Sequence, residues 1–173
     1  FTVALIQAMI GLNGKTINKY DLAEKSAQIE QNILSECVGS QDQFASSFGG
    51  FNSIQFNKNN RKIITPINIG QKKMKALLDS SVLFFTGFSR TASSVERDKL
   101  KNLNKNHNQL YEINSITQEA KKILYSSSGN NEMISDLSLL LNETWQIKKA
   151  LSKKVTSDKI DEIFDVAKKN GAL

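Results

Sequence analysis

Residues 39 to 50 read Gly39-Ser40-Gln41-Asp42-Gln43-Phe44-Ala45-Ser46-Ser47-Phe48-Gly49-Gly50, a polar, glycine-bounded stretch between an amphipathic helical pattern and an alternating strand pattern. Asp42 stands there between two amides and next to a hydroxyl. A carboxylate so surrounded is suited to take the proton of a hydroxyl nucleophile. Gly49 and Gly50 let backbone approach a ligand closely, or merely turn the chain into the strand. The same residues also read as a solvated loop in which Asp42 caps the next helical turn. The residues by themselves leave both readings open.

Other side chains with chemical potential are sparse. Cys37 is the single cysteine, so an internal disulfide and a cysteine-based metal site are excluded, and a reducing cytoplasmic setting is the simple expectation. At a helix end it reads as packing rather than as a reactive thiol. His107, the single histidine, lies in an Asn/Lys-rich stretch and reads as exposed rather than as a ligand or base. Trp145 falls on an apolar stripe with Met133, Leu137, Leu140 and Leu141, and is expected to pack in a core rather than stack on a base.

The elements that must position these groups follow from periodicity. Phe1 to Ile10 is apolar without breakers and predicts a buried helix ended by Gly11-Leu12-Asn13-Gly14. Asn18 or Asp21 caps a second helix through Leu22, Ala23, Ala27, Ile29, Ile33 and Leu34, which carries Glu30 late and ends near Ser35. Phe51 to Phe56 and Arg61 to Ile69 alternate around Asn57-Lys58-Asn59-Asn60, a hairpin signal, with Pro66 pushing its strand toward a sheet edge or an interruption. A short helix is expected over Gln71 to Leu78 and a buried strand over Ser81 to Phe85. Ser93 or Ser94 is set to cap a helical region reaching Tyr125, with a break near Asn104 to Asn108. Ser126 to Asn131 reads as a loop, and helices from about Glu132 to Leu151 and from Ser157 to Lys169 close the sequence.

With 173 residues, 39% hydrophobic and 23% charged, the chain has an ordinary globular composition, enough for one substantial core or two small ones. Its longest apolar runs, such as Val82 to Phe85, fall far short of a membrane span. The net charge of +6 suits an enzyme acting on phosphorylated substrates or a nucleic-acid binder. Lysine pairs at 72/73, 121/122, 148/149, 153/154 and 168/169 alternate with acids, the pattern of wet helix faces. No aromatic and basic interleaving of the single-strand-binding kind occurs, so neither nucleic acid nor membrane is an expected partner.

Several segments resemble the GHMP family of small-molecule kinases, which includes galactokinases, mevalonate kinases and heptose-phosphate kinases. Gly39-Ser40-Gln41-Asp42-Gln43 followed by Phe48-Gly49-Gly50 is most similar to the branch acting on the anomeric hydroxyl of D-glycero-D-manno-heptose 7-phosphate. Thr86-Gly87-Phe88-Ser89-Arg90, Leu141 to Trp145 with Lys148 to Ser152, and Lys168 to Leu173 are similar to that branch in the same order. Ordered agreement is more specific than one motif. The family's glycine-rich phosphate loops have no counterpart here: the chain opens at residues like those following the first, and stops at Gly171-Ala172-Leu173 before the second. It therefore reads as the middle of a longer kinase.

The resemblance implies an α+β, two-domain GHMP kinase fold truncated at both ends. Residues 1–65 would be the remainder of the N-terminal, ribosomal S5 domain 2-like domain, and 66–173 the ferredoxin-like C-terminal domain. It implies ATP and Mg²⁺ as cofactors and a small sugar phosphate as substrate in a cytoplasmic enzyme, and leaves the oligomeric state open, a dimer included. Asp42 matches the family's general base. Glu30 matches the Mg²⁺-binding glutamate, and with Ser26 and Leu34 at its i±4 positions it has no helix-surface ion-pair partner. Ser40, Gln41 and Gln43 would hydrogen-bond the sugar or hold Asp42, with Gly49 and Gly50 beside them. Thr86 and Arg90 would reach the sugar phosphate, an ordinary ion pair for Arg90 standing as the alternative. Two other readings stand beside this one: a galactokinase-like or fucokinase-like GHMP enzyme, and a non-catalytic basic helical interaction module over Ser93 to Leu173.

Overall fold

The computed structural model describes residues 1–87, 106–126, 128–152 and 155–173. The chain divides into two compact units, Phe1–Asn68 and Ile69–Leu173.

In the first unit, α1 spans Thr2–Leu12 and stops at Asn13, whose side-chain amide donates to the Met9 carbonyl at 2.8 Å before Gly14 turns the chain at φ +65°. The helix was expected to be buried, yet no residue of it is, and Leu5, Met9 and Leu12 are exposed. It is apolar around its whole circumference, while its contacts with α2 and α3 cover only part of that surface.

Asn18, not Asp21, caps α2 (Lys19–Gln28): its Oδ1 accepts from the Asp21 N–H at 2.9 Å, while its amide donates to the Asp21 carboxylate at 2.7 Å. Leu22, Ala23, Ser26 and Ala27 form the buried face. The Ser26 hydroxyl, fully buried, is satisfied by donating to the Leu22 carbonyl at 2.7 Å. The helix then widens into a π-helical turn, Ile29–Ile33, and ends at Ser35 in the left-handed region (φ +54°).

After a short connection the chain forms α3, Gln41–Phe48, where the sequence had suggested a polar loop. Phe44 and Phe48, one turn apart, explain the difference: a helix puts both rings on one face, 6.3 Å apart, and Phe44 is fully buried against the edge of Tyr20 at 5.3 Å. The expected antiparallel hairpin follows, β1 Asn52–Phe56 with β2 Lys62–Pro66 and Ile54 opposite Ile64, its second strand stopping at Pro66 rather than running on to Ile69. Pro66 takes the last paired position, opposite Asn52, where its missing N–H disrupts little.

Lys62 joins this hairpin to the helices. Its side chain is 8% exposed, and its ammonium lies 2.7 Å from Glu24 Oε1, 3.2 Å from Asn60 Oδ1 and 5.7 Å from the Phe44 ring centroid. The Lys62 backbone N–H also donates to the Tyr20 hydroxyl at 3.4 Å. A buried cation is tolerated only with such partners.

The second unit is helical among its described residues: α4 Gly70–Asp79, α5 His107–Tyr125, α6 Asn130–Leu151 and α7 Asp158–Lys169. Its core holds Leu124, Met133, Leu151 and Val155. Lys73 of α4 donates to the Leu124 carbonyl at 3.3 Å and to the Ser126 carbonyl, placing a cation at the negative end of α5. Ser157 caps α7 by accepting from the Ile160 N–H at 3.4 Å. Trp145 packs against Phe164 with centroids 6.0 Å apart and receives the Lys149 ammonium over its ring at 5.7 Å, while Lys149 reaches Asp161 at 3.5 Å. Leu141, expected on the same stripe, is 71% exposed instead.

The run Ser81 to Phe85, expected to be a buried strand, has no regular structure, and Val82, Leu83, Phe84 and Phe85 are all exposed. A strand needs an edge to pair with, and the second unit supplies none among its described residues. Ser93, Ser94 and the first part of the break expected near Asn104 to Asn108 lie outside the described residues; in the described part, Asn106 precedes α5, which begins at His107. His107 is exposed, set edge-on to Tyr111 at 4.6 Å.

Two substitutions test this packing by chemical denaturation. Phe44→Ala is expected to cost about 3–5 kcal/mol, the range for truncating a buried aromatic ring. Glu24→Gln, which removes the charge paired with Lys62, is expected to cost about 1.5–3 kcal/mol.

Candidate functional site

Burial of Phe44 fixes the direction of every other side chain on α3. Successive residues of a helix are rotated by about 100°, so with Phe44 inward, Gln43 lies beside it and Asp42 turns away by about 200°. Exposure follows this order: Phe44 is fully buried, Gln43 is 6% exposed, and Asp42 and Gln41 are exposed.

Asp42 sits in the first turn of α3. The residue at the cap position is Ser40, whose hydroxyl makes no capping bond but whose carbonyl accepts from the Phe44 N–H at 3.2 Å. Asp42 is therefore not the cap, and a negative charge in the first turn is favoured there by the helix dipole. Its carboxylate makes no hydrogen bond or ion pair among the described residues and stands open to solvent.

Glu30 and Gln43 come together. Glu30 is half-buried in the π-helical turn, and the Gln43 side-chain amide donates to its Oε2. The connection between them is held by Gln31, which donates to the Val38 carbonyl at 3.0 Å, and by the Glu36 N–H, which donates to the Glu30 carbonyl at 2.9 Å. Gln43 Oε1 is buried and has no hydrogen-bond partner. Sequence reasoning assigned Gln43 to a sugar or to Asp42; the structure places its donor on Glu30.

Gly49 and Gly50 end α3 at φ +65° and +73°, and a Cβ at either would meet nothing within 4 Å. Their presence answers a backbone requirement. With ψ 173° at Gly49, the conformation is one that only glycine adopts readily. Lys19 was not singled out in the sequence, yet it locks this end: its ammonium donates to the Phe48 carbonyl at 2.8 Å, and its own carbonyl accepts from the Ser47 hydroxyl at 2.5 Å. A lysine has no sequence signal for such a role, since its partner is a backbone carbonyl 29 residues away.

Thr86 is half-buried in the irregular segment of the second unit, and Arg90 lies outside the described residues. Among the described residues no group of three or more His, Cys, Asp or Glu is placed to hold a metal ion, and no helix is long and apolar enough to cross a membrane.

The site thus offers two carboxylates on an α+β scaffold, Glu30 held by an amide and Asp42 at a helix N-terminus. No protein-family model matches the chain. Over 173 residues, 98% of its length, it is 31% identical to the D-glycero-alpha-D-manno-heptose 7-phosphate kinase of Campylobacter jejuni subsp. jejuni serotype O:2, and it spans about half, 49%, of that protein.

The open space around Gly49 separates the two roles that glycine could have. Gly49→Ala is expected to destabilise the chain by about 1–3 kcal/mol through backbone strain alone, read as a lowered denaturation midpoint. An unchanged midpoint would leave close approach to a ligand as the reason for the glycine.

Proposed function

We propose that this chain is part of an ATP-dependent sugar kinase of the GHMP type, transferring the terminal phosphoryl group of ATP to the anomeric hydroxyl of D-glycero-D-manno-heptose 7-phosphate. The observation that carries the reading is the 31% identity sustained over 98% of the chain with a heptose 7-phosphate kinase. The arrangement of Asp42, Gln43 and Glu30 supports it. In this reading residues 1–65 belong to the N-terminal domain and residues 66–173 to the C-terminal domain.

Phosphoryl transfer demands a positioned acceptor oxygen, charge neutralisation on the moving group and a carboxylate for the acceptor proton. Asp42 takes the last role. An exposed carboxylate at a helix N-terminus is accessible, as a base must be, and Ser40 and Gln41 stand beside it to orient a polyhydroxy acceptor. Glu30 suits Mg²⁺, which uses one or two protein carboxylates and takes its other ligands from phosphate oxygens and water. A single half-buried carboxylate with one oxygen already oriented by Gln43 fits that demand. Thr86 and Arg90 are proposed to meet the sugar phosphate. ATP supplies the phosphoryl group and Mg²⁺ the charge neutralisation; the acceptor proton is the business of Asp42.

Release of ADP by the full-length protein carrying this sequence, measured across a panel of sugars and sugar phosphates, tests the reading. Heptose 7-phosphate is expected to stimulate release most, and stimulation by galactose or fucose instead would move the enzyme to another branch. Asp42→Asn is expected to lower kcat by about 10²–10⁴-fold, with stability changed by less than about 1 kcal/mol. Wild-type turnover in that variant would remove Asp42 from the role of base.

A further inference from the structure

We infer that Gln43 is a positioning residue for the Glu30 carboxylate, and that its own side-chain carbonyl receives a hydrogen bond from water carried by the divalent cation that Glu30 holds. The inference rests on the kinase reading for the presence of a cation at Glu30, and it adds to the orienting contact of the Gln43 nitrogen a role for its carbonyl, which that reading does not contain.

An ionised carboxylate only accepts hydrogen bonds, so the face of the Gln43 amide turned to Glu30 must be its NH₂. Oε1 then points elsewhere. It points into a place that is buried and offers no donor, although Gln43 is only 6% exposed. Buried carbonyls without a donor are uncommon in folded proteins, and a water or ion that arrives with a ligand is one way in which such a group gains its partner. Phe44, fully buried, fixes the helix rotation and so keeps Gln43 on the sequestered side of α3.

The other side of the contact is shaped in the same sense. Glu30 projects from a π-helical turn, a local widening that recurs at functional sites because it re-aims one side chain. A small divalent cation bound through one carboxylate keeps several waters. Each is a donor of the kind that Oε1 lacks. One amide thus orients the ligand through its nitrogen and reads the hydrated ion through its oxygen, the arrangement by which groups behind a metal ligand tune affinity.

The test uses the full-length protein with Mn²⁺ as a paramagnetic probe in the presence of ADP. Gln43→Met, equal in length but without donor or acceptor, is expected to weaken Mn²⁺ binding by about 10-fold or more, leaving the KM for the sugar phosphate at saturating cation unchanged. In the Glu30→Gln background the same change is expected to add nothing, since its effect runs through Glu30. Should Gln43→Met fail to fold, Gln43→Asn keeps an amide in the pocket but withdraws it from Glu30, and carries the same expectation. Native Mn²⁺ affinity in a folded Gln43 variant, a raised sugar KM at native Mn²⁺ affinity, or a wild type that binds no Mn²⁺ with ADP would overturn the inference. A wild type that binds Mn²⁺ but phosphorylates no sugar would overturn the kinase reading instead, and the Mn²⁺ comparison would still decide the role of Gln43.

Discussion

The first unit depends on one packed ring. Phe44 has no exposed surface, and around it stand the edge of Tyr20, the face of Phe48 and the ammonium of Lys62. These contacts come from α2, from α3 itself and from the hairpin, so a single side chain locates three elements. Burying a ring of this size supplies more free energy than any hydrogen bond in the unit. The cation beside it is stabilised by Glu24 and by the negative face of the ring, two attractions that hold only while α2 and β2 keep their register against α3.

The chemical groups inherit their directions from that constraint. Asp42, Gln43 and Phe44 are consecutive, and the helix rotation that buries the third also buries the second beside it and exposes the first. An accessible carboxylate and a sequestered amide are therefore two consequences of one helix rotation. Neither requires a dedicated device. What does require one is Glu30, which is brought to Gln43 by a departure from regular helix geometry at the end of α2.

Much of the scaffold was legible in the sequence because periodicity reports burial directly. The alternation in β1 and β2 set the hairpin and its edge proline, and the spacing of apolar residues marked α6 and α7 almost to their ends. The same signal misled where burial and composition part company. Gln41 to Ser47 is polar enough to read as a loop, and only the Phe44/Phe48 spacing reveals a helix there. Periodicity also says nothing about partners. The apolar α1 was correctly a helix but not a buried one, and the apolar run before Thr86 was not a strand. Of the candidate site, the residues Asp42, Gln43 and Glu30 were visible as types and as a resemblance; their pairing was not. A hydrogen bond between side chains 13 positions apart leaves no periodic trace, and neither does the reach of Lys19 across to Phe48.

That last contact shapes how the region moves. Lys19, the first residue of α2, is tied twice to the last turn of α3, so the stretch between them is a closed circuit of backbone, with Glu30 and Gln43 bridged across its middle. Such a circuit loses little by breathing at one tie but cannot release either helix until both are gone. Amide protons of α2 and α3 should accordingly exchange with solvent as one cooperative block, and the carboxylates on it should travel together, keeping their spacing through any fluctuation short of its rupture.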